Sequence, residues 1–180
     1  MNQHATPALG RALRGVAFLC VFLFAHHAAQ ASAVTDRLGL VSVFMLSNSD
    51  SGKCVSKSGG ANLGQQFHGW RCNTKSPLQK FTLLERERDL YLIRTETGHL
   101  CLDVSGSAIK NGAPVVQWGC NGNANQLWEV IPDGGSNRFL LRARHSGRCL
   151  NLDHPGEKIS TFVQRDCARG NKAQTFQTVK

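Results

Sequence analysis

The stretch that decides the fold is Val116-Gln117-Trp118-Gly119-Cys120, which is followed after five residues by Gln126-Leu127-Trp128. Two further copies keep this order of a strand-like run, a cysteine and Gln-x-aromatic. The first copy has Trp70-Arg71-Cys72 followed by Gln79-Lys80-Phe81. The other has Val163-Gln164-Arg165-Asp166-Cys167 followed by Gln174-Thr175-Phe176. The glutamines of the three copies lie 47 and 48 residues apart. A repeat of this period indicates an architecture built from three similar units.

Each copy also has an earlier cysteine that follows a glycine by two or three positions, in Gly52-Lys53-Cys54, Gly98-His99-Leu100-Cys101 and Gly147-Arg148-Cys149. Successive gaps between these six cysteines are 18, 29, 19, 29 and 18 residues. Periods in the forties also occur in propeller blades and helical solenoids, so the period alone does not choose the fold.

The local pattern favours β-strands. Short runs rich in β-branched and aromatic residues, such as Tyr91-Leu92-Ile93-Arg94 and Phe139-Leu140-Leu141-Arg142, alternate with glycine and asparagine turns. No helical apolar stripe of useful length is present, and a propeller usually has at least four blades. We therefore predict an all-β protein, a β-trefoil of three pseudo-symmetric repeats at about 43–84, 90–131 and 138–179, each with about four strands.

The N-terminal segment has the pattern of an export signal. Arg11 and Arg14 precede an apolar run of about ten residues, and small residues follow up to Ala33. The run is too short for a stable membrane span, which needs about 20 residues. Cys20 lacks the small residues that precede a bacterial lipoprotein cysteine, so a lipid anchor is not expected. We predict a signal peptide at 1–33 and one domain at 34–180, secreted, periplasmic or at the cell surface.

The three copies resemble the ricin-B-type lectin family. Its Q-x-W signature is complete in Gln126-Leu127-Trp128 and has phenylalanine in the other two repeats. The resemblance covers roughly residues 43–179 and implies a β-trefoil that binds carbohydrate without a cofactor. It also implies that the signature glutamine and aromatic are chiefly structural.

Six of the seven cysteines lie behind the export signal, an even number typical of disulfides formed in an oxidising compartment. The repeat selects one pairing among the 15 that are possible, with one intra-repeat disulfide each: Cys54–Cys72, Cys101–Cys120 and Cys149–Cys167. Zinc is the alternative use of cysteines, but no C-x2-C pair is present, and we expect no metal.

A sugar site needs directed hydrogen-bonding groups beside an aromatic ring, because a pyranose has both hydroxyl groups and an apolar C–H face. By resemblance, Asp103 accepts bonds from sugar hydroxyls, Trp118 stacks on the ring and Asn125 binds a further hydroxyl. Gln117 is a weaker candidate, and Gln126 braces the aspartate. The second repeat alone has this set.

Each of these residues also has a structural interpretation. On a regular strand Trp118 shares a face with Val116 and Cys120, which suits a core position. Asp103 suits a turn cap and Asn125 an ordinary loop. The other repeats depart from the set. The first has Ser56 and Leu78 at the aspartate and asparagine positions but keeps Trp70, and the third has Asn151, Arg165 and Ala173. In the third repeat Asn151 and Arg165 leave a modified site for an anionic sugar open.

Charge is uneven along the repeats. Net charge is +5 over residues 37–88, −3 over 89–136 and +6 over 137–180. The basic surface either aids solubility or contacts an anionic glycan, lipid headgroups or an acidic partner. In the third repeat we predict that Arg142, Arg144 and Arg148 contribute to attachment but not to simple-sugar binding.

No catalytic motif is present, and no pair of carboxylates with glycosidase spacing can be identified, so we expect no enzyme. Nucleic acid is not an expected partner, since export and few exposed aromatic candidates argue against it. The expected partners are glycans, with a galactose-type sugar as the first choice. Three interpretations remain: a free-standing lectin, a cell-binding virulence subunit that carries a separate active chain as in the cytolethal distending toxins, and a lectin-fold module without sugar binding.

Overall fold

The computed structural model describes residues 34–40, 42–60, 62–135 and 137–179. The predicted signal peptide, residues 1–33, lies outside the described residues. The described part contains twelve strands, four in each predicted repeat, and this confirms the all-β class. The strands are β1 (Met45–Asn48), β2 (Cys54–Ser56), β3 (His68–Trp70), β4 (Phe81–Glu87), β5 (Leu90–Thr95), β6 (Leu100–Val104), β7 (Val115–Gly119), β8 (Leu127–Pro132), β9 (Arg138–Ala143), β10 (Cys149–Asp153), β11 (Ser160–Arg165) and β12 (Phe176–Val179). Short 3-10 turns lie at Pro77–Gln79, Ser105–Ser107 and Ala124–Gln126.

Six strands, two from each repeat, form a closed barrel. Antiparallel pairing runs in the order β1, β12, β9, β8, β5 and β4. The ring closes beside β1, where the backbones of Phe44 and Phe81 exchange hydrogen bonds of 3.0 and 2.9 Å. Each barrel strand therefore has two neighbours, and the barrel leaves no open edge for pairing with another chain.

The other six strands form three hairpins, β2–β3, β6–β7 and β10–β11. The hairpins also pair with one another in a cycle. Gln66 bridges to Val116 in β7, Pro114 bridges to Val163 in β11, and β11 pairs with β3. In this way each repeat forms backbone pairing with the second hairpin strand of another repeat. A six-stranded barrel with three linked hairpins is the β-trefoil that the sequence predicts.

The core is lined by equivalent residues of the three repeats. The signature aromatics Phe81, Trp128 and Phe176 are all fully buried in one cluster, which fits their expected structural role. The indole Nε1 of Trp128 donates a 3.1 Å hydrogen bond to the carbonyl of Leu102, so its polar atom is satisfied. Truncating an aromatic of this kind to alanine costs about 3–5 kcal/mol of stability.

The three predicted disulfides are confirmed as Cys54–Cys72, Cys101–Cys120 and Cys149–Cys167. Each joins the first hairpin strand of a repeat to the residue that follows the second strand or lies close to its end. Closing a loop of 18 or 19 residues contributes about 3 kcal/mol in a chain-entropy description.

Candidate functional site

Trp118 lies on the outer face of its strand. In β7 the side chain of Val115 belongs to the core cluster, and alternate residues of a strand point to opposite faces. Trp118 is accordingly 41% exposed, whereas the core interpretation requires burial. It pairs across the hairpin with Cys101, and its neighbour Val116 pairs with Asp103. Strand pairing therefore places the carboxylate and the indole on the same hairpin, close to each other.

A cavity of about 330 Å³ lies beside this hairpin. Asp103, Trp118 and Asn125 all line it, as the resemblance implies. Sequence reasoning missed six other lining residues, Ser105, Gly106, Ser107, Val116, Asn121 and Asn123. The serines come from a 3-10 turn and two of the asparagines from the loop after Cys120, neither of which belongs to the family signature. The cavity thus has one carboxylate, one indole and several neutral hydrogen-bonding groups.

Gln117 is not among the residues that line this cavity. Its side chain is fully buried on the core-facing side of β7, and its Nε2 donates a 2.6 Å hydrogen bond to the carbonyl of Asn62. This amide therefore holds a loop of the first repeat against the second. The expectation that Gln117 contacts a ligand is not supported, because the face of the strand on which it lies is turned away.

Asp103 is only 5% exposed and is held by its neighbours. Its Oδ2 accepts a 2.9 Å hydrogen bond from Nε2 of Gln126, the bracing contact that the resemblance implies. Burial raises the pKa of Asp103, while hydrogen bonds from Gln126 and Asn125 and the charge of His145 partly offset this rise. A carboxylate has about four lone-pair sites, so acceptor positions remain for ligand hydroxyls.

The indole of Trp118 is flanked by the first repeat. Gly64 has a φ of +79°, and a Cβ at that position would lie 3.8 Å from Cζ3 of Trp118. The amide of Gly64 also donates a 2.9 Å hydrogen bond to the carbonyl of Gln117. Since a side chain at Gly64 would both strain the backbone and contact the ring, glycine keeps this flank of the indole open.

The signature glutamines share one structural role. In every repeat the side-chain oxygen of Gln79, Gln126 or Gln174 accepts a backbone hydrogen bond from the loop after the second cysteine, and its NH2 donates to a backbone carbonyl just before that cysteine. These bonds measure between 2.8 and 3.0 Å. Gln126 differs by its additional bond to the carboxylate of Asp103.

The first repeat has a cavity at the corresponding place, with a volume of about 350 Å³. Trp70 lines it and is 46% exposed. Ser56 replaces the aspartate, and the basic residues Lys57, His68 and Arg71 line the same cavity. One feature of the sequence could have indicated this cavity: Lys57 occupies a position at which the other two repeats have an apolar core residue.

In the third repeat the corresponding groups bind one another. Arg165 donates to both carboxylate oxygens of Asp153 at 2.8 and 2.7 Å, and Asn151 donates to Asp153 at 2.8 Å. This contact raises the pKa of Arg165, which favours its charged form, and the carboxylate of Asp153 balances that charge. The guanidinium of Arg165, which the sequence suggested as a group that could bind an anionic sugar, therefore forms an ion pair within the protein.

The three arginines selected for attachment are also paired. Arg142 binds Glu129 at 2.5 Å, Arg148 binds Asp166 at 3.1 Å and Arg144 binds Glu87. Each is thus partly compensated by an acid, and for Arg142 and Arg144 the acid comes from another repeat.

Within the described ranges no group of three or more His, Cys, Asp or Glu side chains is arranged to hold a metal ion. In the same part of the chain, no helix combines the length and the apolar character that crossing a membrane requires.

Fold and site together define a β-trefoil domain with ligand-sized cavities beside its hairpins. The model of the ricin-type β-trefoil lectin domain matches residues 42–176, and the chain belongs to this family. The domain is a carbohydrate-binding and generally non-enzymatic type. Membership supports carbohydrate binding, or cell binding as part of a toxin.

Solved structures share the fold at low identity. The designed threefold-symmetric protein ThreeFoil has a TM-score of 0.71 at 23% identity over 77% of this chain and 98% of its own. The lectin of Polyporus squamosus has 0.65 at 15% over 78% and 49%. The cytolethal distending toxin of Actinobacillus actinomycetemcomitans has 0.61 at 14% over 76% and 87%. At these identities the likeness concerns the fold alone.

A curated relative, the probable lipoprotein EnvE of Salmonella typhimurium, is 32% identical over 60 residues. The aligned segment covers 33% of this chain and 31% of the relative.

Proposed function

We propose that this protein is a secreted or cell-surface lectin that binds a neutral sugar of cell-surface glycans through the cavity of the second repeat. One observation carries the proposal: a half-exposed indole, a buried carboxylate and an amide line one cavity of about 330 Å³. In this arrangement the ring of Trp118 stacks on the apolar face of a pyranose, Asp103 accepts bonds from adjacent hydroxyls and Asn125 binds a third polar group.

The second-repeat cavity is small and open to solvent on one side of the exposed indole, so we expect weak binding of one sugar there, with a Kd near 1 mM, or about 4 kcal/mol. Galactose-type sugars are the first ligands to test, followed by N-acetylated sugars. We assign no catalytic residue and expect the bound sugar to remain unchanged.

The three tryptophans of the chain provide a direct test, because each gives one indole N–H signal in a nitrogen-correlated NMR spectrum. Neutral sugars are expected to shift the signal that the Trp118→Phe variant lacks. The buried Trp128 serves as the internal control, and its signal should stay in place. If no neutral sugar moves the Trp118 signal at about 20 mM, the proposed site is wrong.

A second candidate is the cell-binding subunit of a toxin with a separate active chain. It is favoured by the third repeat, where the contact between Arg165 and Asp153 occupies the groups that would meet a ligand. The domain therefore has fewer candidate sugar sites than it has repeats. Purification of the protein from its native source distinguishes the two candidates. A second chain that travels with it in stoichiometric amount supports the toxin subunit, and a single species supports the free lectin.

A further inference from the structure

Lys57 is a buried cation that directly follows β2. It is 2% exposed, and the corresponding residues of the other repeats, Val104 and Leu152, belong to the apolar core. Lysine is almost never buried without a paired group of opposite charge. Among the described residues, no Asp or Glu forms an ion pair with Lys57.

The ammonium group of Lys57 is held by the loop that follows it. Its Nζ donates to the carbonyls of Ser58 and Gly60 at 3.0 and 2.5 Å. An ammonium has three donors, so one remains for a ligand. Burial lowers the pKa of Lys57, which means that the protein environment disfavours the charge and that a bound anion would favour it.

The cavity that Lys57 helps to line combines positive charge with an aromatic ring. Trp70 is half-exposed there, and the ring of His68 lies edge-on to it with centroids 6.3 Å apart. Arg71 lines the same cavity, and none of its ten lining residues is acidic. A second cavity of about 200 Å³ also borders Trp70 and Arg71, and it adds Lys53 and Lys158.

The cavities of the first two repeats are therefore alike in volume and opposite in charge. The second-repeat cavity has Asp103 and no Lys, Arg or His among its lining residues, and the first-repeat cavity has three basic residues and no acid. A flat ring beside basic groups suits a sugar that carries an anion, because the ring stacks on C–H groups while the cations bind the charge.

We propose that the cavity of the first repeat binds an acidic sugar, whose ring carries a carboxylate or a sulfate and stacks on Trp70 while Arg71 and Lys57 bind the anionic group. This site is separate from the neutral-sugar site and does not depend on it. Its ligand class follows from a basic lining that the second-repeat cavity lacks.

The test follows the Trp70 indole signal in the full domain, assigned with the Trp70→Phe variant, during titration with N-acetylneuraminic acid, glucuronic acid, galactose 6-sulfate and galactose. We expect at least one acidic sugar to shift Trp70 at concentrations where galactose does not. Comparison of the carboxylated and sulfated sugars identifies the anion. Inorganic sulfate alone is the control for simple charge binding.

Matched variants separate the site from general charge effects. Arg71→Gln and Lys57→Met are each expected to lower the affinity for the acidic sugar about tenfold, the usual effect of losing one charge-assisted hydrogen bond. Arg86→Gln removes one exposed positive charge that lines neither cavity and should leave the affinity unchanged. Arg71 is exposed, so its variant keeps the test valid even if Lys57→Met does not fold.

Several results overturn the proposal. These are a Trp70 signal that no acidic sugar moves, equal shifts with galactose, equal shifts with sulfate alone, or equal losses in Arg71→Gln and Arg86→Gln. None of these results bears on the second-repeat site, which Trp118 reports independently.

Discussion

Gln126 donates a hydrogen bond of 2.9 Å to the carboxylate of Asp103, so the residue of the family signature touches the residue proposed to bind the ligand. The same amide also holds the backbone of the loop that supplies Asn121 to the cavity. A structural position and a binding position are thus coupled in the second repeat, whereas in the other repeats the glutamine contacts only backbone groups.

Replacing Gln126 with leucine should therefore weaken neutral-sugar binding by about tenfold, because Asp103 loses the donor that fixes it. Gln174→Leu is the matched control, since it loses similar backbone bonds in a repeat without the carboxylate. Both variants should lose similar stability in thermal melts. Calorimetric titration then isolates the effect on binding, and equal affinities in the two variants would remove the bracing role.

Trp118→Ala should abolish measurable neutral-sugar binding and leave the domain folded, because the indole is exposed and contributes little to the core. Trp70→Ala should leave neutral-sugar binding intact. Trp128→Ala should instead cost about 3–5 kcal/mol of stability, as expected for a fully buried aromatic. Titration with galactose and thermal melts of the three variants distinguish these outcomes, and an unfolded Trp118→Ala protein would contradict the stacking role.

Asp103→Asn should bind neutral sugar about tenfold or more weakly, because a charge-assisted bond worth roughly 1.5–3 kcal/mol becomes a neutral one. Its stability at neutral pH should equal or exceed that of the natural chain. Burial raises the pKa of Asp103, so folding favours the protonated form of its side chain. The stability that the protonated form contributes is lost as the pH rises through the raised pKa. An uncharged amide avoids the cost of burying the ion, and a chemical denaturation curve measures the difference.

Neutral-sugar affinity should also fall as the pH is lowered. Protonation of Asp103 removes an acceptor, and because its pKa is raised, the loss should begin above the ordinary aspartate value of about 3.9. The charge of His145 lowers this pKa, so His145→Ala should move the onset to higher pH. Titrations from neutral to acidic pH with Asp103→Asn as a flat reference measure the effect, and a flat profile in the natural chain would contradict it.

Removing the Cys101–Cys120 disulfide with paired serines should cost about 3 kcal/mol. The same change at Cys149 and Cys167 should cost a similar amount. Only the first pair should also weaken neutral-sugar binding at low temperature, because Cys101 lies opposite Trp118 in the hairpin. Equal affinity in both folded variants would show that the hairpin holds its shape without the disulfide.

The sequence predicted the trefoil and its disulfides because both follow from the threefold spacing of cysteines and Gln-x-aromatic. It also predicted that Asp103, Trp118 and Asn125 meet, since family positions specify them. Gln117 and Trp118 were both candidates, but neighbouring residues of a strand point to opposite faces, so alternation already argued against both side chains facing one cavity. The contact between Arg165 and Asp153 was not predictable, because Asp153 lies outside the signature.

The first-repeat cavity was missed for a different reason. Its basic lining comes from separate segments, with Lys57 after β2 and His68 in β3, and only the folded hairpin brings them beside Trp70. An isolated lysine in a strand-like run otherwise suggests an exposed position.

The pairing of β1 with β12 sets Met45 beside Val179, so the first and last barrel strands are neighbours in space. The barrel consequently continues from its last strand to its first through the same kind of strand pairing that joins its other strands. A circular permutant that joins these ends and opens the chain at the turn between β4 and β5, or between β8 and β9, would keep the strand pairings described above.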